Sequence, residues 1–487
     1  MKICVLQPDY SHSKVDYQYY DPARNLTNLL PEAQVDHVII SKLTTYRQLK
    51  ELKQKGYDCF VNLCEGYPDW EVPGHDVYFN AELLNIPITG PGTKLYDVSK
   101  QLMKYVAYCE GVRIPAYAII SSLDEIETAT KQLNFPMFVK PAHAGDSLGI
   151  DNNSLVNSKV ELQKKCASTI KEFNQLMIEE YISGREFTVL VVADPENEKN
   201  CIAFKPVEYI FPDGRAFKTY ELKTSELHPD CNIPCNDPVL EKQLCDAAKK
   251  IFLGFGGVGY ARMDFRVNDK NEIYFLELNF TCSVFYTDGY EGSADFILKF
   301  DGIGQSGFLR YIIKEAIARH GRKQKCYGVK GNAISGFGIY ATRNLLNGEI
   351  ICSGEERPQR LVTKRHALNK WSENEQEHFR RYAYPISKEV FIIWDDDPSQ
   401  WAPQNHSCDA NCIYDGLNVK TQRSIKNGEE LTLDYALFLD KSMEPFHCNC
   451  GSANCRGLIM GMPNNSVSYR ENLLQTKKQQ LKKRKIV

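Results

Sequence analysis

Asn405-His406-Ser407-Cys408, then Glu430-Leu431-Thr432-Leu433-Asp434-Tyr435, then Cys448-x-Cys450-x4-Cys455, follow one another near the end of this 487-residue chain. Cys408, Cys448, Cys450 and Cys455 stand out from the seventeen cysteines because they cluster at ligand-like spacing, which favours zinc over chance. The other thirteen are scattered, and without a secretory signal they read as buried or free thiols of a reducing compartment. Many short strands separated by glycine and asparagine turns surround these motifs, so the last third reads as a mostly β domain.

Upstream the pattern changes. Residues 1–90 alternate short apolar runs (Ile3–Leu6, Val35–Ile40, Cys59–Leu63) with helical stretches (Tyr46–Lys55, Tyr78–Leu84), which predicts a small parallel βαβ sheet. Thr89-Gly90-Pro91-Gly92 is a turn-rich break. From Val98 to about His320 strands and helices mix, with strands expected at Phe135–Pro141, Leu176–Ile182, Glu186–Val192, Tyr260–Val267 and Glu272–Asn279. A helix over Leu309–Ala318 leads into the basic junction Arg319–Lys325. After Met462 the chain turns polar, and Arg470, Lys477, Lys478, Lys482, Lys483, Arg484 and Lys485 face one acid, Glu471. That tail reads as a solvated helix or frayed end, with nuclear import or polyanion binding as the alternative.

Length and composition narrow the field. A chain of 487 residues is too long for one core and should hold two to four domains. A net charge of −3 gives no global attraction to nucleic acid or anionic membrane. No stretch approaches the roughly 18 consecutive apolar residues of a membrane span. The opening run Met1–Leu6 is too short for a signal peptide, so the expected location is the cytoplasm or nucleus.

Asn-His-Ser-Cys followed by Glu-Leu-Thr-x-Asp-Tyr resembles the SET-domain protein-lysine methyltransferases, and Cys-x-Cys-x4-Cys resembles their zinc-binding post-SET tail. The resemblance implies methyl transfer from S-adenosylmethionine to a lysine amine, on a histone or another basic protein. Ser335-Gly336-Phe337-Gly338-Ile339-Tyr340-Ala341 resembles the Gly-x-Gly strand that lies beside the donor, which implicates Gly336, Gly338 and Tyr340. Asn405 and His406 match the family's donor-binding residues, and Tyr435 matches the tyrosine whose hydroxyl lies near the transferred methyl. Zinc needs four ligands in a closed structural site. The tail supplies Cys448, Cys450 and Cys455, and Cys408 should be the fourth, with Cys412 a weaker competitor. Tyr382, Tyr384, Phe391 and Trp394 are candidate channel walls, though core packing is the commoner role for any one of them. Two departures stand out. No cysteine-rich segment precedes the domain, and Leu437 stands where many relatives carry an aromatic residue, which leaves the number of methyl groups open.

Residues 1–320 resemble the ATP-grasp fold of D-alanine–D-alanine ligase in four ordered segments: Ser99–Lys104, Phe135–Ile150, Glu179–Thr188, and Ala261–Phe265 with Phe275–Asn279. The resemblance implies ATP and magnesium. Lys100 and Lys140 match the phosphate lysines, and the loop Gly145–Gly149 can bring backbone N–H groups close to phosphate. Glu179 and Glu180 can serve the adenine side, and Glu186 the ribose. Asp264, Glu277 and Asn279 offer the hard oxygen ligands that magnesium prefers, on two strands whose alternation sends Glu277 and Asn279 to one face. Arg262 would stabilise the charge of a tetrahedral intermediate. The acceptor side departs from these ligases: Asn62–Trp70 lacks their acidic glycine-rich segment, and Phe280–Val284 follows Asn279 where they carry Thr-x-Pro-Gly. Which carboxylate and which amine would be joined is therefore open.

The sequence thus predicts a multidomain α/β plus mostly β chain. Its parts are a pre-ATP-grasp α/β domain (1–90), an ATP-grasp domain (91–320), a SET domain (326–440), a post-SET zinc segment (441–462) and a basic tail (463–487). The expected activity is lysine methylation fused to an ATP-dependent carboxylate–amine ligase, with small-molecule ligase substrates, no membrane partner, and a homodimer left open. The alternative makes the front half an inactive recognition or dimerisation platform. A binding module with both halves degenerate is disfavoured by the retained Tyr435 and cysteines.

Overall fold

Strand β1 (Lys2–Pro8) has five consecutive buried residues, the mark of a strand covered on both faces. It pairs in parallel with β2 (Gln34–Ile40) on one side and β3 (Cys59–Asn62) on the other. Helices α1 (Thr45–Lys53) and α2 (His75–Leu83) cover one face, where Leu49, Leu52, Val77 and Tyr78 pack with Cys4 and Leu6. The computed structural model describes residues 1–13, 21–143, 148–211, 217, 229–323, 325–354, 359–394, 402–439 and 445–460. The phosphate-loop residues 144–147 and the basic tail 463–487 lie outside them.

The chain divides into two compact units, Met1–Lys323 and Gln324–Val487. In the first, helix α3 (Lys100–Cys109) starts at Ser99, whose side chain accepts from the Leu102 amide. An antiparallel sheet follows, built from β4 (Tyr117–Ile120), β5 (Met137–Pro141), β6 (Leu155–Val156) and β7 (Leu176–Glu180) in the order β4-β7-β5-β6.

The larger sheet contains β8 (Arg185–Ala193), β9 (Cys201–Ala203), β10 (Val207–Tyr209), β11 (Asn232–Pro234), β12 (Tyr260–Val267) and β13 (Ile273–Asn279). Its order is β11-β10-β8-β12-β13, with β9 also on β8. Eight of the nine residues of β8 are buried because both of its faces are covered. Phe187, Val189 and Val191 face helix α4 (Pro238–Gly254), while Leu190 and Val192 join Ile3, Val5 and Val61 of the first sheet. Helices α5 (Ser293–Asp301) and α6 (Gly304–Lys323) close that second core through Ile297, Phe308 and Ile312. The periodic segments read from sequence therefore appear as elements, with ends shifted by a few residues.

The second unit opens with the hairpin β14 (Tyr327–Asn332) and β15 (Gly336–Ala341). Strands β16 (Ile350–Cys352) and β17 (Gln359–Thr363) follow, then helices α7 (Lys364–Lys370) and α8 (Glu373–Tyr382). The expectation of short strands separated by turns passes over these two helices. Thr363 caps the first, and Ser372 with Glu375 forms a capping box on the second. Strands β18 (Tyr384–Pro385) and β19 (Val390–Trp394) join β17 in a three-stranded sheet. A five-stranded sheet takes β16 with β20 (Asn405–His406), β21 (Cys412–Asp415), β22 (Asn418–Thr421) and β23 (Thr432–Leu433), in the order β16-β22-β21-β23-β20. The pair β24 (Phe446–His447) and β25 (Leu458–Ile459) frames the cysteine tail. Among the described residues, no helix is long and apolar enough to cross a membrane.

Candidate active sites

The short parallel pairing of β20 with β23 sets Asn405 beside Thr432 and His406 beside Leu433, so the two distant motifs meet. The His406 ring is almost fully covered, and its Nδ1 accepts from the Tyr435 amide at 3.1 Å. That bond places the ring proton on Nε2, which faces the Cys408 sulfur at 3.4 Å. Burial lowers the pKa of His406 against the opposing pull of Asp434, so the ring is neutral. The Tyr435 hydroxyl donates to the main-chain carbonyl of Gln404 at 2.6 Å. Burial, with Tyr382 adding to it, pushes that hydroxyl up to about 12, so it keeps its proton at neutral pH.

Glu430 organises the neighbouring cluster, although it was not among the residues singled out from sequence. The Asn405 amide donates to its Oε1 at 2.7 Å and to the Phe337 carbonyl at 3.0 Å. Asn332 donates to the same Oε1 at 3.0 Å and to the Tyr340 hydroxyl at 3.2 Å. A Cβ at Gly338 would meet the Glu430 carboxylate and, at 2.8 Å, the Asn405 amide, so a larger residue there would push these two side-chain ends aside. Gly336, at φ 83°, faces open space. Gly338, Tyr340 and Asn405 thus come together around one carboxylate. The signal was legible, since Glu430 begins the Glu-Leu-Thr-x-Asp-Tyr motif itself.

Of the four candidate channel walls, Tyr384 stacks among Tyr414, Trp394 and Phe438, and Phe438 lies 5.6 Å from the Tyr435 ring. Tyr382 is exposed. Phe391 is buried against Phe379 in a separate apolar cluster, so its role is packing.

Cys408, Cys448, Cys450 and Cys455 bring their four sulfur atoms within 4.8 Å of one another. A zinc tetrahedron with Zn–S bonds of about 2.3 Å requires sulfurs about 3.8 Å apart, and Cys408 to Cys448 measures 3.9 Å. The thiols titrate unequally. Burial pushes Cys448 up to about 12. Cys450 comes down to about 6 because donors at 408 and 452 and the neighbouring thiols outweigh its burial. A thiolate is the form that zinc binds, and the donor set fits that metal. Cys412 sits apart in the sheet core with its sulfur on Asn411.

In the first unit, Glu179 is buried between two ammonium groups. Lys140 Nζ lies 2.5 Å from one oxygen and Lys104 Nζ 3.0 Å from the other. Burial alone would raise the Glu179 carboxyl, but the two lysines outweigh it and hold the group below its usual range. Lys104 is wholly buried and also donates to the Phe275 carbonyl at 3.2 Å. Burial brings it down to about 8 despite Glu179. Lys104 ends the segment Ser99–Lys104 and has no role in the sequence reading, although it stands one helical turn from the buried Lys100 on α3, a spacing that shares a face.

Glu180 accepts from the Asn134 amide and side chain, both at 2.8 Å. Glu186 pairs with Arg266 at 3.0 Å, beneath the Tyr181 ring. Antiparallel register sets Asp264 opposite Glu277 and Arg262 opposite Asn279. The Arg262 guanidinium lies 3.5 Å from Asp264, and Asn279 accepts from the Thr281 amide at 2.8 Å. The three oxygen ligands expected for magnesium therefore occupy neighbouring positions on β12 and β13.

Two family models match the chain: D-ala D-ala ligase C-terminus over residues 111–285 and the SET domain over residues 336–436. The D-alanine–D-alanine ligase of Pseudomonas entomophila is 30% identical over 201 residues, which are 41% of this chain and 59% of the relative. That of Bordetella petrii is 28% identical over 241 residues, 48% of this chain and 70% of the relative. The chain thus spans about three fifths of the length of the first of these relatives. Among solved structures, the D-alanine–D-alanine ligase from Coxiella burnetii aligns with a TM-score of 0.49 at 19% identity, covering 67% of this chain and 96% of that one. The VanG D-Ala:D-Ser ligase from Enterococcus faecalis aligns at 0.47 and 18%, covering 65% and 99%.

Proposed function

We propose, from a chain that carries an ATP-grasp module of the D-Ala-D-Ala ligase type followed by a SET domain, that the second unit methylates a protein lysine using S-adenosylmethionine. The observation that carries this reading is the place of Tyr435, tied by its hydroxyl to the residue before Asn405 and by its amide to His406. When bound, the donor supplies an electrophilic methyl group on a sulfonium. Gly336, Gly338, Tyr340, Asn405 and His406 would hold it. Lysine has an ordinary pKa of about 10.4, so the aromatic surroundings of Tyr435 must receive the neutral amine or let its proton leave. The Tyr435 oxygen, its proton given to Gln404, can accept from that amine and aim its lone pair. Cys408, Cys448, Cys450 and Cys455 would hold zinc and close the tail over the site. The acceptor class is a basic protein such as a histone. The test is mass spectrometry of purified protein incubated with labelled donor and cell extract or histones; absence of any methylated lysine, its own included, sinks the reading.

For the first unit we propose ATP and magnesium binding for carboxylate–amine ligation. ATP supplies the phosphoryl group that activates a carboxylate. Lys100 and Lys140 would meet the phosphates, Glu179 and Glu180 the adenine side, and Glu186 the ribose. Asp264, Glu277 and Asn279 would hold magnesium, and Arg262 would neutralise the developing oxyanion. The alternative, an inactive platform, is favoured by one observation: Glu179 already occupies both Lys104 and Lys140. Magnesium-dependent ATP binding separates the two.

A further inference from the structure

Arg456 follows directly on the cysteine Cys455 and belongs to none of the sites assigned so far. Its guanidinium reaches Asp434 Oδ1 at 2.5 Å, and its amide points to the Cys408 sulfur at 3.3 Å. Asp434 is the residue before Tyr435 and its side chain is only 14% exposed. The same Oδ1 accepts from the Ala436 amide at 3.1 Å, which caps the single turn Tyr435–Leu437. One carboxylate oxygen therefore joins the tail to the turn that carries Tyr435.

We infer that Arg456 is a positioning residue for methyl transfer: by holding Asp434 it fixes the Tyr435 turn, and its own place is set by the neighbouring metal ligands Cys455 and Cys408. This rests on the methyltransferase reading above and adds a mechanical link to it. An isolated surface ion pair contributes little, but this one differs in two ways. Its acid is mostly covered, and its base is held at the backbone by the bond from its amide to the Cys408 sulfur, so no backbone freedom is given up in bringing the guanidinium to Asp434. Loss of the guanidinium would let the turn shift, and small shifts of a reacting geometry cost large factors in rate.

The test compares wild type with Arg456→Ala, Arg456→Lys, Asp434→Asn and the Arg456→Ala, Asp434→Asn pair. Arg456→Ala should lower kcat by about ten- to a hundredfold, with donor Kd and acceptor KM changed by less than about threefold and zinc content unchanged by elemental analysis. Arg456→Lys should recover part of the rate, and Arg456→Ala should cost nothing further in the Asp434→Asn background. Hydrogen exchange read by mass spectrometry should show faster exchange at 434–439 in Arg456→Ala. That readout judges the clamp even in protein that transfers no methyl, so a failure of the methyltransferase reading and a failure of the clamp remain distinct. Unchanged kcat in active protein, unchanged exchange at 434–439, or loss of zinc together with rate would each overturn the inference.

Discussion

The Tyr435 hydroxyl and the Gln404 carbonyl are 2.6 Å apart, in a bond between a side chain of one motif and the backbone at the threshold of the other. Without that hydroxyl the ring stays packed against Phe438 and Phe446, and only the oxygen is lost. Tyr435→Phe should therefore lower methyl transfer by about a hundredfold or more while donor Kd stays within about twofold of wild type. Tritium transfer and equilibrium dialysis measure the two. Equal rates in variant and wild type would exclude Tyr435 from the chemistry.

The four sulfurs lie within 4.8 Å of one another, and removal of one leaves a three-ligand set that holds zinc poorly. Elemental analysis should find one zinc per chain in wild type and little in Cys450→Ser, with a lower melting temperature for the second unit. Active wild-type protein without zinc would refute the site.

Glu179 with its two lysines, and the facing acids Asp264 and Glu277, create opposite electrostatic demands within one unit. Magnesium ATP at a hundredfold excess over Kd should stabilise the fold by about 2.7 kcal/mol. Differential scanning fluorimetry should show that shift in wild type and not in a Lys140→Ala, Glu277→Gln double variant. No magnesium-dependent shift in wild type would favour the platform.

Arg319 on α6 holds buried Glu315 at 2.8 Å and donates to the carbonyls of Ile88 and Gly90. Arg319→Met leaves the carboxylate buried and unpaired, which should destabilise the first unit by about 3–5 kcal/mol. The Glu315→Gln, Arg319→Met pair should recover part of that loss. Urea titration followed by tryptophan fluorescence reads both.

Asp295 caps α5 and accepts from the Phe285 and Gly292 amides and from Gln305, yet burial pushes its carboxyl up to about 6. The folded value lies above the unfolded one, so protonation favours the folded state. This contribution is present below pH 4 and is lost as the pH rises through 6. Relative to wild type, Asp295→Asn should therefore gain up to about 3 kcal/mol between pH 4 and pH 7. A pH-independent difference in melting temperature would show that the carboxyl titrates normally.

The parts of this chain that were legible in its sequence are those governed by local rules. The apolar runs of β1, β3 and β8 declare strands, and the cysteine spacing declares a cluster of four neighbouring sulfurs. Partnerships formed across the fold were harder to read. Lys104 is bound to Glu179, seventy-five positions away (179 − 104), and nothing in the α3 sequence says which carboxylate its inward face will meet. Asp434 meets Arg456 only after the tail folds back. Helices α7 and α8 are a different case: their signals at Thr363 and Ser372-x-x-Glu375 are local, but they lie among turns that read as breaks between short strands.

The arrangement of Lys104, Glu179 and Lys140 also makes the three side chains unequal in what their loss would expose. Removing either lysine leaves a balanced pair, whereas removing Glu179 leaves two buried amines with no carboxylate between them, so one must give up its proton or an anion must replace the glutamate. A chain that lost the glutamate but kept both lysines would therefore carry a vacant anion site, opened by the loss of a side chain rather than by the gain of one.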